Sequence, residues 1–198
     1  MGNCFHRPAK YYEHLSNEVL THCQTVTGFS AEKIYHEHKL FFFVAENGRL
    51  KRHEMEKLLA DYLPLTKGRH SRYLTTCIFS AIDTNDDGHI DFLEYLMSIR
   101  FFQTDSPIER AKFVFRIIDK DGDHLVTRKE LERILKCLEK YHQSLSNDQI
   151  DQVMSDGIES AVVTIFETLD EDKSGFIGVS EFIDGWLKNE LIRTLFSF

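Results

Sequence analysis

The sequence predicts an all-α protein built from four helix–loop–helix units in two paired lobes. One pattern occurs three times, at residues 79–95, 115–131 and 166–182: Phe, two further residues, Ile or Leu, and then an Asp that opens a loop. A weaker fourth copy precedes these, with its loop at 43–54. A repeat with a period in the tens of residues indicates a repeated structural unit. Apolar residues at helical spacing flank the loops, so each unit should be a pair of helices.

The three strong copies carry oxygen-rich loops at residues 83–94, 119–130 and 170–181. Calcium is a hard cation that takes six to eight oxygen ligands. A twelve-residue loop wraps it with side chains at positions 1, 3, 5 and 12, a backbone carbonyl at position 7, and a side chain or water at position 9. This pattern is typical of EF-hands, and we expect three calcium ions. The predicted ligands are Asp83, Asn85, Asp87, His89 by its carbonyl, Asp91 and Glu94; Asp119, Asp121, Asp123, Leu125 by its carbonyl, Thr127 and Glu130; and Asp170, Asp172, Ser174, Phe176 by its carbonyl, and Glu181.

Position 6 of such a loop turns sharply and favours Gly, because its backbone φ is positive. Gly88 and Gly175 satisfy this rule, whereas the third loop has His124 there. A His in the left-handed region costs about 1 kcal/mol. We therefore expect the third loop to bind calcium more weakly than a loop with Gly would.

The loop at 43–54 keeps Gly48, Leu50 and Glu54 but has Phe43 and Ala45 where oxygen ligands belong. We expect no calcium in this loop. Its unit should instead pair with the second one, through a short antiparallel contact between the position-8 residues Leu50 and Ile90. Val126 and Ile177 should make the same contact in the other lobe.

The division between the lobes is expected just before Ser106-Pro107, which reads as the start of a new helix. The N-terminal lobe would span residues 1–102, with the degenerate first EF-hand and the second. The C-terminal lobe would span 103–198, with the third and fourth.

Composition excludes several other classes of protein. The net charge is −8, and nucleic-acid binding needs clustered Lys and Arg, so we expect no nucleic-acid partner. We find no arrangement of catalytic residues and expect no enzyme activity. The histidines His36 and His38 are two apart on a predicted helix and do not share a face, which favours surface residues over a metal site. Without an apolar run of membrane-spanning length or a disulfide pattern, the chain is expected to be cytoplasmic.

Several features together resemble the neuronal calcium sensors, the recoverin-like EF-hand family. They are the Met-Gly start, the phrase Thr27-Gly28-Phe29-Ser30 before the first EF-hand helix, the disabled first loop and the longer gap before the fourth. The resemblance implies a calcium sensor that exposes an apolar groove and regulates a target protein, often at a membrane. It also implies an N-terminal myristoyl group at Gly2, with Cys4 beside it as a second acylation position.

Two alternatives to a sensor remain: a constitutive regulatory subunit resembling the B subunit of a calcium-dependent phosphatase (calcineurin-B-like), and a cytosolic calcium buffer. The partner of a sensor or subunit would be a target protein or its amphipathic helix. The closing segment, residues 191–198, would be a helix that covers a groove or a frayed end. The groove, or simply the core, would be formed by aromatic and aliphatic residues: Phe41, Phe42, Tyr62, Leu63, Phe79, Phe92, Tyr95, Phe101 and Phe102.

Overall fold

The computed structural model of the protein describes residues 12–58, 69–142 and 155–196. These residues form the predicted all-α fold, with ten helices and two short strands. The elements are α1 (Asn17–Thr27), α2 (Ala31–Val44), a 3₁₀ turn (Glu46–Gly48), α3 (Arg52–Leu58), α4 (Arg69–Ile82), α5 (Phe92–Gln103), α6 (Pro107–Ile118), β1 (Leu125–Val126), α7 (Arg128–His142), α8 (Ile158–Leu169), β2 (Ile177–Gly178), α9 (Val179–Lys188) and α10 (Glu190–Leu195).

Helix ends follow the local signals in the sequence. Gly28, with a φ of 73°, ends α1, and the Ser30 hydroxyl accepts the Lys33 N–H at the start of α2. Ser106 caps α6, whose first residue is Pro107, as predicted. The Ser106 N–H donates to Thr104 Oγ1 at 3.1 Å.

The described chain divides into two compact units. The first contains residues 12–58 and 82–103, and the second contains 69–81, 104–142 and 155–196. Almost all of α4 therefore groups with the second unit, whereas the loop and the helix that follow it belong to the first. The expected lobes, 1–102 and 103–198, stay a prediction.

The core of the first unit is aromatic. The Phe41 ring centroid lies 5.4 Å from that of Phe92 and 5.3 Å from that of Tyr95, and all three side chains are buried. Tyr12 adds a fourth ring, 6.2 Å from Phe92. Helices α1, α2 and α5 enclose this cluster.

The second unit has its own aromatic cluster. The Phe182 ring in α9 lies 5.7 Å from Phe115 in α6, 6.0 Å from Trp186 and 5.8 Å from Phe196. Helices α6 and α9 make the most extensive contact in this unit, so the helix that enters the third loop packs on the helix that leaves the fourth.

The described part of the closing segment is helical as far as Leu195, in α10. Ile192, Leu195 and Phe196 are buried, and the Phe196 ring packs on that of Phe182 in α9. Arg193 Nη1 donates to the carbonyls of Trp186 and Leu187 at 2.8 and 3.0 Å, which anchors α10 to the end of α9.

Loops pair as the repeat predicts. Leu50 and Ile90 exchange two backbone hydrogen bonds, of 2.9 and 3.0 Å, in an isolated antiparallel bridge. Strands β1 and β2 are antiparallel, with Val126 opposite Ile177. Both predicted contacts are confirmed, and each joins two calcium-type loops side by side.

Candidate metal centres

The same hydrogen-bond scaffold closes all three predicted calcium loops. In each loop the position-12 Glu accepts backbone N–H groups from positions 2 and 9 through its two oxygens. Glu94 accepts from Thr84 and Asp91, at 2.8 and 3.0 Å; Glu130 from Lys120 and Thr127, at 3.0 and 2.9 Å; and Glu181 from Glu171 and Gly178, at 3.0 and 2.8 Å. A single carboxylate therefore ties the start of each loop to its end.

The Asp at position 1 organises the turn in the middle of each loop. Its Oδ2 atom accepts the N–H of position 6, at 2.9 Å in the second loop and 3.0 Å in the third and fourth. The φ values at position 6 are 78° for Gly88, 67° for His124 and 84° for Gly175. His124 thus adopts the left-handed backbone that its loop position predicts.

Carboxylates converge in two of the loops. Asp119, Asp121 and Asp123 bring ligand atoms within 4.8 Å of one another in the third loop, and Asp170, Asp172 and Glu181 do so in the fourth. The second loop has the amide of Asn85 at position 3. Within the described part of the chain, its carboxylates do not form a third group of this kind.

Burial sets the protonation behaviour of several predicted ligands. It raises the pKa of Asp83, Glu94 and Asp119, and neighbouring carboxylates raise it further. In contrast, hydrogen bonds from Ser174 lower the pKa of the exposed Asp172. A nearby cation favours the charged form of a carboxylate and would offset both burial and repulsion. Asp83, Glu94 and Asp119 therefore lie where a bound cation would stabilise their charged forms.

Two predicted position-9 ligands act as helix caps. Asp91 Oδ1 accepts the Glu94 N–H at 2.9 Å, and Thr127 Oγ1 accepts the Glu130 N–H at 3.2 Å. Burial raises the pKa of Asp91 to about 7. Direct calcium ligation by Asp91 and Thr127 stays a prediction.

At position 7, where a backbone carbonyl is the predicted ligand, each N–H donates to the position-5 side chain. His89 donates to Asp87 at 2.9 Å, Leu125 to Asp123 at 2.9 Å, and Phe176 to Ser174 at 3.3 Å. These bonds fix the position-5 side chains within their loops.

The first loop follows a different backbone path. Helix α2 continues to Val44, the second loop position, whereas the other entering helices end just before their loops. Positive φ values fall at positions 5 and 6, Asn47 and Gly48, and not at positions 4 and 6 as in the other three loops. Phe43 is 88% exposed, and Glu54 accepts the position-9 N–H of Lys51 at 2.8 Å.

Sequence reasoning missed one contact between the loops. Arg49, from the first loop, places its Nη2 atom 3.4 Å from Oδ2 of the predicted ligand Asp87. Position 7 of an EF-hand loop contributes its carbonyl, so no pattern in the sequence draws attention to the side chain there.

Four predicted residues, Gly2, Cys4, Tyr62 and Leu63, lie outside the described residues.

The donor sets fit calcium. Every predicted ligand atom in the three loops is oxygen, most are carboxylate oxygens, and hard divalent cations prefer such donors. If calcium is bound, Asp119, Asp121 and Asp123 would hold it in the third loop, and Asp170, Asp172 and Glu181 in the fourth. No described helix is long and apolar enough to cross a membrane.

Comparison with known proteins places these loops in a family. Residues 46–97 and 108–187 each match an EF-hand domain pair. The chain is 32% identical to the guanylyl cyclase inhibitory protein of Lithobates pipiens over 155 residues. These residues make up 77% of this chain and 72% of that relative. The chain belongs to the neuronal calcium sensor family of EF-hand proteins. This neuronal calcium sensor is also 26% identical over 169 residues to guanylyl cyclase-activating protein 1 of Lithobates pipiens, covering 85% of this chain and 77% of the relative. It is 24% identical over 186 residues to recoverin of Homo sapiens, and the aligned residues cover 93% of this chain and 90% of recoverin.

Proposed function

We propose that this protein is a cytoplasmic calcium sensor, not an enzyme, which binds three calcium ions and then exposes an apolar groove to a target protein. One observation carries the proposal. Glu94, the position-12 ligand of the second loop, lies in the first turn of α5 between the core residues Phe92 and Tyr95. Both aromatic side chains are fully buried. A carboxylate that moves to ligate calcium would therefore move the aromatic core with it.

The residues that could form the groove are divided between core and surface. Phe41, Phe79, Phe92 and Tyr95 are buried, which agrees with the alternative that each is ordinary core. Phe42, Phe101 and Phe102 are half-buried. Opening of the first unit would add the buried rings of Phe41, Phe92 and Tyr95 to the half-buried ones, and an aromatic surface of this kind suits an amphipathic target helix.

Guanylyl cyclase is the target class that we propose. Two of the relatives described above are named for activating or inhibiting guanylyl cyclase, and one of these has the 32% identity. The charge distribution of the loops supports regulation by calcium, because the carboxylates are the groups whose environment a bound ion changes most.

The test combines a hydrophobic dye with a cyclase assay. We expect calcium to increase dye fluorescence and to change the activity of a guanylyl cyclase in washed membranes, compared with chelator. Glu94→Gln should reduce both effects. Glu54→Gln, which alters position 12 of the disabled loop, is the matched control and should reduce neither.

Other outcomes would identify the alternatives. A protein that binds calcium without any dye response would be a buffer. A protein that copurifies with a partner in chelator as well as in calcium would be a constitutive subunit. A calcium-dependent dye response without any effect on the cyclase would keep the sensor and reject the proposed target.

We also propose that Gly2 carries a myristoyl group and that Cys4 is a second acylation position, which together would give a peripheral membrane location. The Met-Gly start and the resemblance to lipidated sensors support this proposal. A single myristoyl chain binds a membrane only marginally, so a second contribution is needed for stable attachment.

A further inference from the structure

The disabled first loop reaches into the second calcium loop through one side chain. Arg49 Nη2 and Asp87 Oδ2 are 3.4 Å apart, and the two side chains are 51% and 39% exposed. Arg49 immediately precedes Leu50, which forms the two-bond bridge with Ile90. The bridge therefore holds the backbone of Arg49 beside the second loop, within reach of Asp87.

The contact occupies the Asp87 oxygen that is not committed to its own loop. Asp87 Oδ1 accepts the His89 N–H at 2.9 Å, and Oδ2 faces Arg49. In the third loop, Asp123 Oδ1 accepts the Leu125 N–H at the same distance. There, Asp123 makes no ion pair with a described residue and converges with the other carboxylates of its loop.

The second loop differs in its carboxylates as well. Among described residues, Asp83, Asp87 and Glu94 do not come together as the acidic groups of the third and fourth loops do. The loop whose position-5 carboxylate faces a guanidinium is also the loop without a convergent carboxylate group.

We propose that Arg49 is an internal counter-ion of the second calcium site, which competes with calcium for Asp87. The inference rests on the proposed calcium binding by the second loop. The guanidinium neutralises Asp87 in the calcium-free site and must give it up when calcium binds. The degenerate loop thereby lowers the calcium affinity of its neighbour.

The size of the effect follows from exposure. A solvent-exposed ion pair contributes modestly and is screened by salt. Removing Arg49 should therefore tighten calcium binding at the second loop by about two- to fivefold at low ionic strength. The gain should shrink in about 1 M salt, where the Debye length falls to roughly 3 Å.

The test follows individual backbone amides by NMR during calcium titration of the full-length chain. The Gly88 N–H donates to Asp83 Oδ2 and so reports on the second loop, and the Gly175 N–H donates to Asp170 Oδ2 and reports on the fourth. In Arg49→Gln the Gly88 signal should reach half-saturation at two- to fivefold lower free calcium, with the Gly175 signal unchanged. Arg49→Lys keeps the charge and should lie nearer the parent.

Lys51→Gln is the matched control, because it removes a charge from an exposed side chain of the same loop. It should change the Gly88 midpoint less than Arg49→Gln does. An unchanged midpoint in Arg49→Gln, or an equal shift in Lys51→Gln, would overturn the counter-ion role while leaving calcium sensing intact. A Gly88 signal that does not respond to calcium in the parent would reject the second site itself, and the counter-ion role with it. The Ile90 amide shows whether each variant keeps the bridge.

Discussion

The phenol of Tyr95 donates a 2.8 Å hydrogen bond to Oε2 of Glu37 inside the first unit. Both side chains are buried, and the bond joins α5 to α2. Glu37 lies between Ile34 and Phe41 on the buried face of its helix. A buried polar group needs hydrogen-bond partners, so this contact couples the position of α2 to the helix that leaves the second loop.

Tyr95→Phe should lower the free energy of unfolding by about 1–3 kcal/mol, because a buried acceptor loses its donor. Urea unfolding in chelator measures the effect. Tyr35→Phe is the control, because Tyr35 is 45% exposed and its change should be near zero. Equal stability of Tyr95→Phe and the parent would show that other contacts support Glu37.

Calorimetric titration should give three calcium ions per chain. Glu94→Gln and Glu181→Gln should each remove one, because the position-12 carboxylate supplies two ligand oxygens. Glu54→Gln should retain all three. A parent stoichiometry of two or four would contradict the ligand assignment, and so would the loss of a site in Glu54→Gln.

His124→Gly should tighten the third site by about fivefold, since Gly adopts the observed positive φ without the roughly 1 kcal/mol penalty of a side chain. The variant His124→Ala distinguishes backbone strain at this position from an effect of the imidazole itself. It removes the imidazole but keeps a Cβ, and it should not tighten binding. If both variants bind alike, the imidazole itself and not the backbone determines the affinity.

Gly185→Ala should destabilise the second unit by about 1–3 kcal/mol, although Ala favours helices. A Cβ at Gly185 would overlap the buried side chain of Leu169, which lies at the end of the helix that enters the fourth loop. Unfolding of both single variants and the double variant with Leu169→Ala measures the coupling. The double variant should lose less stability than the two single variants combined, because the new methyl group fills space left by Leu169. Additive losses would rule out this contact as the cause.

Calcium should promote binding to anionic vesicles, and binding should depend on Gly2. Three ions would bring the net charge from −8 to −2, which weakens repulsion from an anionic surface. Because one myristoyl chain binds with an association constant of only about 10⁴ M⁻¹, a small additional term decides the outcome. Sedimentation compares the parent with Gly2→Ala, both coexpressed with an N-myristoyltransferase. Equal pelleting of both in calcium would reject the lipid, whereas equal pelleting of the parent with and without calcium would reject the switch.

The sequence predicts the helix starts because a cap depends on residues close together in the chain, and it predicts the loop pairs because each loop repeats the same twelve-residue pattern. The position-8 residues Leu50 and Ile90 pair because the loop fixes their direction, and Ser30 caps α2 through a residue three places on. Glu37 could not be predicted as buried. A Glu on an amphipathic helix is usually solvated, and its partner Tyr95 is 58 residues away.

The half-buried position of His38 could not be predicted from the sequence either. His36 is exposed, as predicted, whereas His38 is half-buried. The His38 ring packs 4.4 Å from Phe42, and its Nε2 atom lies 2.9 Å from the Tyr12 carbonyl. Burial lowers the pKa of His38. Its role is to pack the first unit, which depends on a neighbour far away in sequence.

Helix α10 is joined to α9 through Asn189 alone, so Phe196 remains close to Phe182, the α9 ring on which it packs. A partner helix that docked on this ring would have to displace a segment whose effective concentration is set by a one-residue tether. Its apparent dissociation constant would be the intrinsic value divided by the fraction of molecules with the ring uncovered. The C-terminal segment would then act as a threshold: weak partners would be excluded from this surface of the second unit, and a partner would need to bind strongly enough to displace α10.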